Sequence, residues 1–345
     1  MNILVAGGAG FIGSAFVRRR LANTDDRIVV LDKLTYAGSR ANLAPVEAEP
    51  SMAPRLRFVQ GDIADAEVVG KLVAEADAVV NFAAESHVDR SILDAEAFLR
   101  TGVIGVHVLL EAVRRRMEKA PCRLLQVSTD EVYGPLDRGF SRETDPPNPR
   151  SPYAAAKAAG EMLAGAYAVT HSLDVVITRG ANTYGPYQHP EKLIPLFITN
   201  AIADEPLPLY GDGRQERDWM YVEDHADAVG FVLDHGASGE TYNVPGTSSR
   251  TNREVTERIL AALGKPWELV RSVPDRPGHD RRYAMDGSKL AQLGWRCRVE
   301  FEDGLPRTVE WFAANREWWT AAKSGDWHDY YTRQYGQRLA NSMPA

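Results

Sequence analysis

Cysteine is scarce: Cys122 and Cys297 are the only two in 345 residues. Two thiols are too few for a disulfide framework or a structural zinc site, so each reads as a packing residue and no metal is expected. No apolar run reaches the ~18 residues that suggest a membrane span. No long basic run interrupts a net charge of −7, so neither a membrane nor a nucleic acid is an expected partner. The expected first strand starts at residue 2, which leaves no room for a secretory leader. Internal repeats and low-complexity segments are missing too. A cytoplasmic enzyme fits these absences. An acidic chain that binds a phosphorylated ligand must gather its positive charge locally.

With 44% hydrophobic residues, the chain can build one large or two modest cores. Apolar, β-branched runs at 2–6, 27–31, 56–60, 78–82, 123–128 and 173–178 alternate with helical stretches. That alternation predicts a parallel sheet covered by helices on both faces. The run after residue 2 leads into Gly7-Gly8-Ala9-Gly10-Phe11-Ile12-Gly13 and then a helix-forming stretch. The first glycine allows a tight turn, the second lets a pyrophosphate approach the backbone, and the third lets helix and strand pack closely. Asp32 ends the next run, 19 residues after Gly13. An acid there can hold both adenosine ribose hydroxyls and repels a 2′-phosphate, which favours NAD over NADP. Asp62 can reach the adenine amino group, and the small Ala83 and Ala84 let a cofactor pass close to the backbone.

The chain is therefore expected to be α/β, a doubly wound parallel-sheet Rossmann domain with a smaller C-terminal substrate-binding region. Residues 1–178 form the NAD-binding domain, with return segments near 224–245. Residues 179–320 are mainly substrate-binding, and 321–345 form a tail; the C-terminal stretch is unusually aromatic, with Trp311, Trp318, Trp319 and Trp327, and its last ~10 residues are expected to be mobile. Two helices, one from about Phe98 to Arg116 and one carrying Tyr153 and Lys157, can pair with their copies in a second subunit as a four-helix interface.

Ser128-Thr129-Asp130-Glu131-Val132-Tyr133-Gly134 ends the fifth run, and Tyr153 and Lys157 follow at i and i+4 on one helix face. An ammonium near a phenol favours the phenolate, so Tyr153 can take a proton from a sugar hydroxyl while hydride leaves the same carbon. Thr129 can hydrogen-bond that hydroxyl. A dehydrogenase needs no more than these. Asp130 and Glu131 are extra, and two carboxyls in different environments can divide an acid task from a base task. Adjacent residues of a strand point apart, so both serve one site only if the backbone turns there.

These segments resemble the extended short-chain dehydrogenase/reductase family, and within it the dTDP-glucose 4,6-dehydratases. The similarity spans roughly residues 1–320. It rests on the glycine loop, Leu-Asp-Lys-Leu-Thr-Tyr-Ala-Gly (31–38), Ala-Ala-Glu-Ser-His-Val-Asp-Arg-Ser (83–91), 128–134 and Tyr-Ala-Ala-Ala-Lys (153–157). Tyr-Gly-Pro-Tyr-Gln-His-Pro-Glu-Lys-Leu-Ile-Pro (184–195), Arg-Asp-Trp-Met-Tyr-Val-Glu-Asp-His (217–225) and Asp-Arg-Pro-Gly-His-Asp (275–280) extend it. The resemblance implies that Tyr153 is the base at C4, Glu131 the base at C5 and Asp130 the acid at C6, with Thr129 and Lys157 completing the catalytic set. It implies cofactor contacts at Gly7, Gly10, Phe11, Ile12, Gly13, Asp32, Lys33, Leu34, Thr35, Asp62, Ile63, Ala83, Ala84, Ser86, Thr101, Ser128, Tyr153, Lys157 and Thr183. Substrate contacts fall at Ser86, Thr129, Asn182, Lys192, Leu193, Pro208, Tyr210, Arg217, Asn252, Asp275, Arg276 and His279. Lys192, Arg217 and Arg276 suit a nucleoside diphosphate. The chain departs from the family pattern at Thr183 and Gly102, where asparagine is common. A nucleotide-sugar 4-epimerase shares the Tyr, Lys and hydroxyl but has no need of Asp130 and Glu131. A non-catalytic NAD-sensing scaffold would need none of them. The nucleobase stays open between thymidine and uridine.

Overall fold

The computed structural model describes residues 1–344, the side chains of 343 and 344 apart; the expectation of a mobile end falls outside that description at residue 345. Among the described residues, thirteen strands follow in chain order: β1 (Asn2–Ala6), β2 (Arg27–Asp32), β3 (Leu56–Gln60), β4 (Ala78–Asn81), β5 (Arg123–Thr129), β6 (Val175–Gly180), β7 (Asn182–Tyr184), β8 (Leu207–Tyr210), β9 (Glu216–Tyr221), β10 (Thr241–Val244), β11 (Ser248–Thr251), β12 (Val270–Val273) and β13 (Met343–Pro344). Seven make one parallel sheet in the order β10-β6-β5-β4-β1-β2-β3. The six strands expected from sequence are all there, with ends displaced by at most two residues.

Strand β1 shows why this sheet reads so clearly. Ile3 and Val5 face one apolar cluster, while Leu4 and Ala6 face another on the opposite side. A parallel sheet covered by helices on both faces needs strands that are apolar throughout, not alternating. Strand β10 pairs with β6 at the sheet edge, and the Val222–His235 helix packs beside the Phe11–Asn23 helix. Arg20 pairs with Asp234 across that contact at 2.6 Å.

The other region has its own core, built from Tyr184, Phe197, Phe301, Phe312, Trp319, Trp327 and Tyr335. It carries two small sheets, β11-β9-β7 and one in which β12 lies parallel to β8. The tryptophans of the C-terminal stretch belong to this core or pack against it, and the last helix runs through Asp326–Ala340.

The stretch expected as one helix from about 98 to 116 is α-helical at Glu96–Leu99 and Val106–Met117, with a π-helical turn at Arg100–Gly105 between. Gly102 lies against the Pro152–His171 helix: a Cβ on it would stand 3.1 Å from the Ala156 Cβ and 3.2 Å from the Ala156 carbonyl oxygen. A larger side chain at position 102 would therefore press on that helix.

Candidate active site

A cavity of about 310 Å³ opens at the carboxyl ends of the central strands, where ligands bind in doubly wound sheets. Its floor is the glycine loop. Gly7 has φ +75°, and a Cβ there would meet the Ala83 nitrogen at 2.6 Å, so strand exit and backbone approach both demand glycine. The Phe11–Asn23 helix begins at Gly10 with no side-chain cap and no acid in its first turn. Its N–H groups and dipole are left for an anionic ligand. Asp32 accepts from Ala9 N at 2.9 Å through Oδ2 and from Leu34 N at 2.8 Å through Oδ1. Each oxygen keeps one lone pair for a ribose hydroxyl. These features fit a dinucleotide.

Of the sequence-expected cofactor residues, all but Leu34 line this cavity. Leu34 turns away with φ +56° and packs into the core; its contribution is the backbone N–H that fixes Asp32. Asp62 is on the wall, where its carboxylate is paired with Lys33 at 3.0 Å.

A second cavity, about 130 Å³, adjoins the first; Glu131, Asn182, Lys192, Leu193 and Trp219 line both. Its wall holds Pro208, Tyr210, Arg217, Asn252, Arg276 and His279. Asp275 is not part of the wall. Its oxygens bond the His279 ring at 2.5 Å and Gln215 at 2.8 Å, bracing the loop that carries Arg276. The positive charge is gathered here in an otherwise acidic protein. Lys192 Nζ donates to the Ser86 carbonyl, Arg217 donates to the Asp280 carbonyl at 2.9 Å, and Arg276 pairs with Asp89 at 2.7 Å.

The backbone turns between the two lobes. Thr129 is extended, and one 3₁₀ turn, Asp130–Tyr133, follows before Gly134 at φ +75°. The Thr129 hydroxyl accepts from Glu131 N at 3.3 Å and donates to Asp130 Oδ1 at 3.0 Å. The turn brings both carboxyls to the cavity wall. Burial first, then the charge of Glu131, pushes the Asp130 carboxyl up to about 8, so it is neutral at pH 7. Its Oδ2 has no partner among the described residues. Glu131 is raised by burial, while Arg276, Lys192 and Arg217 pull it back. Two neighbouring carboxyls are thus driven apart in character.

Tyr153 lies with them. Burial, then Glu131 and Asp130, raise its phenol well above the ordinary range. The lowering expected from Lys157 is not found. Lys157 directs its ammonium to the Val127 carbonyl at 2.6 Å, and burial is the largest influence on the phenol, with Glu131 and Asp130 adding to it.

Sequence reasoning missed several wall residues. Tyr283 stacks on the Arg217 guanidinium at 4.5 Å. Asp89, Trp219, Tyr335, His225 and Glu85 also line the cavities. Asp89 and His225 stood within quoted motifs; Tyr335, in the tail, had no local signal.

The family model for GDP-mannose 4,6 dehydratases matches residues 4–308. A dTDP-glucose 4,6-dehydratase from Streptomyces niveus is 51% identical over 332 residues, covering 94% of this chain and 97% of that protein. The chain belongs to the dTDP-glucose 4,6-dehydratase family. A crystal structure of that enzyme from Streptomyces venezuelae with NAD bound has a TM-score of 0.90 at 52% identity, covering 94% of this chain and all of that one. The Thermus thermophilus UDP-glucose 4-epimerase in complex with NAD has a TM-score of 0.83 at 33% identity, covering 91% of this chain and all of that one. The fold is thus common to dehydratase and epimerase.

Proposed function

We propose that this chain is a dTDP-glucose 4,6-dehydratase that uses NAD, a lyase acting on a nucleotide-diphosphate sugar. The observation that carries the reading is the buried Asp130, one oxygen of which has no partner among the described residues, beside Glu131 on the turn between the two lobes. An epimerase of the same fold has no task for that pair.

When bound, NAD would supply the hydride acceptor for C4 and the hydride donor for C6. Asp32, the glycine loop and the start of the Phe11–Asn23 helix would hold its adenosine and pyrophosphate ends. Tyr153, as the phenolate that the positive nicotinamide ring would favour, would accept the proton of the C4 hydroxyl, which Thr129 aligns. A ketone at C4 acidifies C5–H, and Glu131 takes that proton. Asp130 gives its own proton to the departing C6 hydroxyl, which leaves as water. Lys192, Arg217 and Arg276 hold the diphosphate, with Asn252 and the Pro208 and Tyr210 wall beyond them. As hydride reaches C6, Glu131 returns a proton to C5, and the proton taken up by Tyr153 leaves to solvent while Asp130 is reprotonated from solvent; the product is the 4-keto-6-deoxy sugar, with no net redox change.

An acid that must be protonated loses its role as pH rises through its pKa. The kcat of the elimination should therefore fall above about pH 8. Asp130→Asn should abolish that limb together with most of the turnover, as a kcat–pH profile would show.

Other parts of the reading concern the assembly. Residues 1–178, with the 224–245 return, form the cofactor domain, and 179–320 form most of the substrate region with 321–345 as its tail; the separate apolar cores support this division. Leu99, Ile104, Met162 and Val169 are exposed on the two helices expected to pair in a homodimer, and such a patch favours a four-helix interface. Two unpaired cysteines accord with a cytoplasmic setting.

The deciding test is incubation of the purified protein with dTDP-glucose in deuterated water, without added NAD, followed by mass spectrometry. Loss of one water with one deuterium gained at C5 is the expected result. An unchanged mass with conversion to the galactose epimer would overturn the reading. Parallel UDP-glucose reactions test the base.

A further inference from the structure

Gln334 stands behind the wall of the second cavity, not in it. It is buried on the Asp326–Ala340 helix, and its neighbour Tyr335 lines the cavity. Gln334 Nε2 donates to Asp89 Oδ2 at 2.9 Å and to the Tyr210 hydroxyl at 2.6 Å. Tyr210 donates to the same Asp89 oxygen at 2.8 Å and accepts from Arg338 Nη1 at 3.2 Å. The other oxygen, Oδ1, accepts from Arg276 Nη1 at 2.7 Å. Arg276 Nε is buried and has no partner among the described residues. Four distant stretches of chain thus meet at one carboxylate.

We propose that Gln334 is a positioning residue for the substrate diphosphate: it fixes the Asp89 carboxylate, which holds Arg276 by one edge and leaves the Arg276 Nε–H for a phosphate oxygen. This use of Gln334 rests on reading Arg276 as a diphosphate contact. A side-chain amide has two N–H donors, and Gln334 directs both to this corner. With Gln334 and Tyr210 on Oδ2, the oxygen facing Arg276 is Oδ1. The Asp89–Arg276 pair is close to neutral as a whole, so Lys192 and Arg217 must carry the net positive charge. What the pair offers is orientation: a guanidinium already held in place makes its charge-assisted bond without an ordering cost.

An anchor for the C-terminal helix would be a simpler role, and it has different consequences. Loss of an anchor costs stability; loss of a positioning residue costs affinity, and only through Arg276. Tyr210 is a second route to the ligand, because its hydroxyl shares the Gln334 amide and its side chain is on the wall. Without Gln334, Tyr210 still has Asp89 and Arg338 as partners.

The test is a double-mutant cycle read by calorimetry, with dTDP titrated into the purified protein. Gln334→Leu removes the two donors and keeps most of the volume. It should melt where the parent does and weaken dTDP about fivefold, the worth of one hydrogen bond. KM for dTDP-glucose should rise by the same factor with kcat kept, because the reacting carbons are at the sugar end. Arg276→Met should weaken dTDP at least about tenfold, and adding Gln334→Leu to it should weaken dTDP no further. Additive losses in the double variant would place Gln334 on another route, through Tyr210 or the helix, and would overturn the inference alone. A Gln334→Leu protein that binds dTDP as the parent does would overturn it too. If Gln334→Leu does not fold, Gln334→Asn, one methylene shorter, decides by the same cycle. Full affinity in Arg276→Met would overturn the diphosphate reading of Arg276, and a parent that binds neither dTDP nor UDP would overturn the nucleotide reading; this inference would fall with either.

Discussion

Replacing Glu131 by glutamine should leave oxidation at C4 possible and lower overall turnover by about 10²–10⁴-fold, the usual contribution of a positioned general base. Glutamine keeps the shape of the side chain and its place on the turn, so the fold and the sugar lobe should persist. What disappears is the lone pair that accepts the C5 proton. The charge balance changes too: Arg276, Lys192 and Arg217 all act on Glu131, and removing its charge also relieves Asp130 and Tyr153, both of which it raises. The variant should thus accumulate oxidised sugar and reduced cofactor rather than stall before them. Deuterium incorporation at C5, followed by mass spectrometry in deuterated water, is the direct readout. A variant that exchanged C5 at the parent's rate would remove Glu131 from that role.

Tyr153→Phe should act one step earlier and more completely. Phenylalanine fills the same buried space against Phe98, whose ring lies edge-on at 6.3 Å, but it has no oxygen to receive the C4 proton. No reduced cofactor should form and C5 exchange should cease as well, because the C5 proton becomes acidic only after C4 is oxidised. The loss should be at least about 10²-fold in the first hydride transfer. The two variants are thus distinguishable in a single spectrum: reduced cofactor builds up in Glu131→Gln and is missing in Tyr153→Phe. Full activity in Tyr153→Phe would exclude the phenol from the reaction.

What could be read from the sequence follows the range of the forces involved. The sheet was legible because strands buried on both faces, such as Val-Val-Leu at 29–31, leave no other place for so many β-branched residues. The glycine loop and the Thr129–Glu131 turn were legible because each is built within a few residues. The environments were not. That Asp130 is neutral depends on burial and on Glu131 together, and no local pattern reports burial. Arg276 was recognised, but its anchor Asp89 lies 187 residues away. Tyr335 reaches the sugar lobe only because the C-terminal helix folds back across the second core. Lys157 beside Tyr153 suggested a lowered phenol, and the outcome differed because burial first, then Glu131 and Asp130, all brought by tertiary packing, raise it.

The path of the chain between its two regions has a mechanical consequence. A single residue, Ala181, separates β6 from β7, the helix at Val222 begins as β9 ends, and three residues join β10 to β11. Hinges need segments that can absorb large backbone rotations, and three crossings this short offer almost none. Rotation of one half of the cleft on the other would therefore be concentrated in these few residues at the ends of β6, β9 and β10.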